Sequence, residues 1–142
     1  MEDLRKMALE AIPKEHHDRF LYSFESGKRI RPRLMKEVCS HLGVDFTPLA
    51  KAALAIEIFH CTTLLHDDII DNDDVRRGRE SFKARFSSRE AVIYGDYFAM
   101  AAVRIVRKEY PSLLGHFLDA IEGILEGQIM EIGGIGSLDS YM

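Results

Sequence analysis

The sequence predicts an all-α chain. Apolar residues recur at helical spacing in almost every segment, and no stretch shows the sustained alternation of a strand. The 4 prolines mark segment breaks or first helical turns. A length of 142 residues, 46% hydrophobic and 30% charged, fits one folded helical domain over residues 1–142.

The elements follow in order. Residues 2–25 carry Leu4, Met7, Ala8 and Ala11 at helical spacing, and Pro13 splits them into two pieces. Gly27 ends this region. Pro32 suits a first turn, so a helix is predicted from about Arg31 to Leu42, stopping at Gly43. Thr47-Pro48 reads as an N-cap followed by proline at the first helical position. Leu49 to about Asp71 then forms one long, mostly buried helix containing Leu54, Ile56, Ile58, Phe59 and Ile70. Residues 72–87 are polar and basic, a loop. Ser87 or Ser88 caps a helix over Ala91–Lys108, with Phe98, Met100 and Val103 in the core and Asp96 as a buried structural carboxylate. Pro111 and Ser112 open a last helix to about Ile132, and GGIGSLDSYM after it is expected to fray.

Charge and cysteine usage narrow the function. A net charge of −4 argues against nucleic acid as a partner. Cys39 and Cys61, in no metal-binding spacing, fit a reducing compartment, so a cytoplasmic location is expected. The charged N-terminus lacks the apolar core of a signal peptide. The apolar run near Tyr97–Val103 is too short to span a bilayer, so no transmembrane segment is expected.

Charge is concentrated in TTLLHDDIIDNDDVRRG, residues 62–78. His60, Leu64, Asp67 and Asp71 share one helix face, which sets two carboxylates a turn apart. Like charges there repel, and a helix C-terminus disfavours anions. All the ligands are oxygens, so Mg²⁺ is the expected cation. The spacing is not that of an EF-hand, and a solvated acidic turn is the plain alternative. Arg76 and Arg77 follow at once, and arginines belong beside a metal only when a polyanion lies between them. A second cluster, GKRIRPRL at 27–34, sets Lys28 and Arg31 at a helix start behind a glycine, a candidate diphosphate cradle.

These blocks resemble the trans-isoprenyl diphosphate synthase (polyprenyl synthetase) family, which includes farnesyl and geranylgeranyl diphosphate synthases. The matching pieces are GKRIRP (27–32), HDDIIDNDDVRRG (66–78), GDYF (95–98) and EGQIMEI (126–132). The resemblance implies an antiparallel helical bundle, about half of the isoprenoid synthase fold. It implies condensation of an allylic prenyl diphosphate with isopentenyl diphosphate by Mg²⁺-assisted departure of diphosphate. By motif, Asp67 and Asp71 would hold Mg²⁺ with Asp68 nearby, and Arg76 would touch the allylic diphosphate. Lys28, Arg31, His60 and Arg77 would hold isopentenyl diphosphate, and Gln128 would reach the allylic one. Thr62 and Thr63 stand where the family often has bulky residues, which implies a geranylgeranyl-length or longer product.

Departures shape the expectation. RESFK follows RRG where the family commonly has Pro-Thr and a histidine, so Lys83 would replace a phosphate donor. Glu131 stands where the family has Asp. The family's Lys-Thr pair and second aspartate-rich motif are not in the chain, which implies one wall of the cavity and exposed apolar faces. A homo-oligomer, or a heteromer with a chain carrying the C-terminal half, is therefore expected. Two alternatives stand beside this: a non-catalytic prenyl-diphosphate-binding or regulatory subunit, and a metal phosphohydrolase suggested by the His66-Asp67 pair.

Overall fold

The computed structural model describes residues 2–134. They form seven α-helices: α1 (Glu2–Ala11), α2 (His17–Glu25), α3 (Ile30–His41), α4 (Ala50–Ile70), α5 (Phe82–Arg85), α6 (Ser88–Glu109) and α7 (Leu114–Ile132). The fold is all-α, as the periodicity predicts. The GGIGSLDSYM tail lies outside the described residues from 135 onward.

Local chemistry explains the boundaries. Pro13 separates α1 from a 3-10 turn at Lys14–His16, because it cannot donate to a continuing helix. Pro32 sits in the first turn of α3, and Gly43 behind it takes φ 65, a left-handed stop. Ser87 caps α6, its hydroxyl accepting the Glu90 N–H at 3.0 Å. The cap predicted at Thr47 is not made. Thr47 instead starts a 3-10 turn, and the Asp45 carboxylate accepts its N–H at 2.9 Å.

The long helices α4 and α6 form the centre. They run antiparallel: Lys51 meets Glu109 at 2.8 Å at one end, and His66 packs over Gly95 at the other. A Cβ on Gly95 would collide with the His66 imidazole, so glycine is what admits the ring. Phe20, Phe24, Leu54, Ile58 and Phe98 fill the core around this pair. Phe20 stacks on Phe24 at 4.9 Å and meets Phe98 edge-on at 5.3 Å, which ties α2 to α6.

Several side chains depart from the prediction. Ile56 and Ile70 of α4 are exposed, and so is Met100 of α6. Asp96 is no buried carboxylate: its side chain is 69% exposed, with Oδ1 3.5 Å from His66 Nε2. Gly95 and Phe98 occupy the inward face of α6, and the next position along a helix points elsewhere. One further helix stretch, Thr47–Ile70, is long and apolar enough by length and composition to cross a membrane. It is 50% buried against its neighbours over its most apolar window, as a core helix is.

Residues 72–87 are more ordered than a loop. Val75–Arg76 and Arg79–Glu80 pair as strands β1 and β2 of a tight hairpin. Arg77 and Gly78 at its tip take φ 55 and 78, the left-handed pair that a two-residue hairpin needs. Strands of two residues are too short to show alternation in sequence. Ser81 then caps the single turn of α5. Tyr22 staples the hairpin to α2: its hydroxyl donates to the Glu80 carbonyl at 2.8 Å, and the Arg79 guanidinium lies 4.1 Å over its ring.

The last helix contrasts with the centre. No residue of α7 is buried. Phe117 meets Phe59 at 6.3 Å between ring centroids, while Leu118, Ile124, Leu125, Ile129 and Ile132 are exposed. A second apolar stripe, Ile30, Leu34, Val38 and Leu42, runs along α3.

Candidate active site

The acidic stretch forms the last two turns of α4 and the chain that leaves it. Cys61, Thr62, Leu65 and Asp68 face the core; His60, Leu64 and Asp67 are half-buried and Asp71 is exposed. The face that the spacing predicts is thus the open one. Thr62 and Thr63 spend their hydroxyls on α4 itself, donating to the Ile58 and His60 carbonyls at 3.4 and 2.9 Å.

The aspartates divide into engaged and open ones. Asp68 is buried, and its Oδ1 accepts from Arg76 Nε at 2.5 Å. Burial pushes the Asp68 carboxyl up, and the hydrogen bond from Arg76 opposes that shift. Asp74 pairs with Lys83 Nζ at 2.7 Å, and Asn72 accepts from the same amine at 3.1 Å. Lys83 therefore pins the loop. Asp67 and Asp71 have no ion-pair partner among the described residues. Burial pushes the Asp67 carboxyl up; Arg76 opposes this, and Asp71, Asp68 and Glu131 add to it. Glu131 of α7 thus belongs to the same acidic field, with Gln128 one turn earlier on α7 and half-buried.

A divalent cation fits this arrangement. Among the described residues no three His, Cys, Asp or Glu side chains close into a cage. Mg²⁺ does not need one: it keeps several waters and is completed by phosphate oxygens. Asp67 and Asp71, a turn apart and without ion-pair partners among the described residues, could supply the protein's share of such a site.

Cations gather at the turn before α3 and at the hairpin. Lys28 and Arg31 are exposed around the turn that enters α3. Arg77 donates to the Ser26 carbonyl at 2.8 Å, which ties the hairpin tip to that turn. His60 shares this region. Its pKa is held down to about 4, first by burial and then by the positive fields of Arg31, Arg77 and Arg76. Residues 31, 60, 76 and 77, far apart in sequence, are therefore gathered around one region, and Lys28 lies in the adjoining turn.

Two residues go unmarked in the sequence. Arg29 lies 3.8 Å over the Phe24 ring and 3.9 Å from Glu57, a carboxylate buried in α4. A charge inside the apolar run of α4 is the signal that could have found them. His16, His17 and His41, which a phosphohydrolase site would need, are bonded elsewhere: to Tyr94, to the Leu9 and Ile12 carbonyls, and to the Glu37 carbonyl.

The polyprenyl synthetase family model matches residues 13–141. The chain belongs to the polyprenyl synthetase family. A geranylgeranyl diphosphate synthase of Saccharolobus solfataricus is 36% identical over 121 residues, covering 80% of this chain and 36% of that protein. Heptaprenyl diphosphate synthase component 2 of Geobacillus stearothermophilus is 36% identical over 107 residues, covering 75% of this chain and 33% of its own length. An isoprenoid synthase family member from Thermotoga neapolitana superimposes with a TM-score of 0.84 at 30% identity, over 99% of this chain and 58% of that one. The chain thus spans about a third of these curated relatives and somewhat over half of a solved isoprenoid synthase. These helices form that part of the polyprenyl synthetase bundle, and the acidic end of α4 and the α3 turn lie within it.

Proposed function

We propose that the chain supplies the diphosphate-binding wall of a trans-prenyltransferase that joins an allylic prenyl diphosphate to isopentenyl diphosphate. The observation that carries this reading is the pairing of two unengaged carboxylates, Asp67 and Asp71, with a cationic turn within one family-matched bundle. Mg²⁺ held by Asp67 and Asp71 would neutralise charge on the departing diphosphate. Arg76, braced by Asp68, presents its remaining N–H groups toward the allylic diphosphate, and Gln128 stands on the opposite helix. Lys28, Arg31 and Arg77 hold the isopentenyl diphosphate, with His60 kept neutral as a hydrogen-bonding group. Thr62 and Thr63, small and turned back on α4, leave room for a product of geranylgeranyl length or longer.

The apolar faces of α7 and α3 support a further assignment: more protein covers them, whether the rest of the bundle or a second copy. A relative named as component 2 of a synthase favours a second reading, a prenyl-diphosphate-binding or regulatory subunit. One experiment separates them: a prenyl-transfer assay on the purified chain with Mg²⁺, labelled isopentenyl diphosphate and farnesyl diphosphate, with equilibrium binding of each diphosphate measured alongside. Elongated product supports the enzyme. Binding of both diphosphates without product supports the subunit. Binding of neither sinks both.

A further inference from the structure

The entry to α3 is built around a buried charge on the neighbouring helix α4. Glu57 lies in the middle of α4, 2% exposed. Its Oε1 is 3.9 Å from Arg29 Nη1, and its Oε2 has no hydrogen-bond partner. A carboxylate in that position is costly unless a cation answers it. Arg29 is that cation. Its guanidinium is folded back under the protein, over the Phe24 ring at 3.8 Å, and Nη1 donates to the Gly27 carbonyl at 3.1 Å.

This inward fold goes with an unusual backbone. Arg29 is the residue before α3, at φ 54 and ψ 39, a left-handed conformation that a residue with a Cβ adopts only under constraint. Its carbonyl accepts the Arg33 N–H at 3.1 Å, so the same residue begins α3. Gly27 leaves the space: a Cβ there would stand 2.5 Å from Arg29 Nη1 and 3.2 Å from Glu57 Oε1. Lys28 and Arg31 lie on either side of this turn and are exposed. The direction of each depends on the conformation that Arg29 holds.

We propose that Glu57 and Arg29 are positioning residues: the buried pair locks the left-handed turn and thereby aims Lys28 and Arg31 at one diphosphate. This rests on the reading of that turn as the isopentenyl diphosphate cradle. The pair also explains why the turn spends one of its cations inward. A lysine could not cover the Phe24 ring and reach both Gly27 and Glu57 with a planar fork.

The test is calorimetric titration of the whole chain with isopentenyl diphosphate and, separately, with farnesyl diphosphate plus Mg²⁺. The variants are Glu57→Gln, Arg29→Lys, their double, and Lys28→Ala. Glu57→Gln and Arg29→Lys are each expected to weaken isopentenyl diphosphate about tenfold. Farnesyl diphosphate affinity stays at the wild-type value, and the double variant is no weaker than either single one. Wild-type isopentenyl diphosphate affinity in both singles, with Lys28→Ala losing it, overturns the positioning role and leaves the cradle standing. Equal weakening of both ligands together with a lowered melting temperature also overturns it, since that is what a merely structural pair would do. Wild-type affinity in Lys28→Ala removes the cradle itself, and this inference with it. If Glu57→Gln loses the wild-type circular dichroism, Arg29→Lys at the helix boundary decides alone.

Discussion

The acidic end of α4 and the cationic turn before α3 are both dense charge clusters, yet they are balanced differently. On the acidic side the protein answers its own charge: Arg76 holds Asp68 and Lys83 holds Asp74. Asp67 and Asp71 are left open. On the cationic side one carboxylate, Glu57, answers one arginine, Arg29, and Lys28 and Arg31 have no ion-pair partner among the described residues. The field of Arg31 falls on His60, which it helps to hold neutral. One cluster thus keeps Asp67, Asp71 and Asp73 without an ion-pair partner among the described residues, and the other keeps a surplus of positive charge.

Breaking the open carboxylates should do the most harm. Asp67→Asn or Asp71→Asn is expected to lower prenyl transfer by roughly 100- to 1000-fold with helix content unchanged, measured in steady-state assays with Mg²⁺. A loss below about tenfold would mean that the cation is held elsewhere. The engaged pair, Arg76 and Asp68, should matter to stability as well. Arg76→Ala leaves Asp68 buried without its partner and is expected to cost about 3 kcal/mol in urea unfolding at pH 7. A cost near that of an exposed pair would show that Asp68 is hydrated.

The cationic surplus can be read from His60. Its pKa lies near 4 against an ordinary 6.5. The neutral ring's contribution to folding is fully present above pH 6.5 and is lost as pH falls towards 4, because the unfolded chain takes up a proton that the folded one refuses. An NMR titration of the His60 ring is expected to give a midpoint near 4. Adding inorganic pyrophosphate should move it upward, since an anion between Arg31, Arg76 and Arg77 cancels their repulsion. No movement would place the bound anion away from these arginines. The smallest effect is expected at Lys83. Lys83→Ala releases Asp74, which is mostly exposed, and should lower stability by about 1 kcal/mol or less. A large loss of diphosphate affinity there would instead make Lys83 a phosphate ligand.

Much of this is legible in the sequence. Pro13, Pro32, Gly43 and Ser87 act where a missing N–H, a left-handed stop or a capping hydroxyl acts in any helix, so local chemistry suffices to place them. The stripe of His60, Leu64, Asp67 and Asp71 follows from helical periodicity alone. Other features are hidden. Met100, Ile56 and Ile70 are apolar and at helical spacing, yet exposed, because periodicity says which residues share a face and not what lies against it. Asp96 reads as an inward carboxylate, but Gly95 and Phe98 own that face.

The sequence by itself determined the helices, their breaks and the types of charge each would carry, since these depend on neighbours within a turn or two. Tertiary structure decided which charges remain free. Arg76 reaches Asp68 from the hairpin, Arg77 reaches Ser26 across 51 residues of chain, and Arg29 turns inward to Glu57 on another helix. Whether a charge is spent inside the protein or left for a ligand depends on which other charge the fold brings within a few ångströms, and in water at larger separations that attraction is nearly gone.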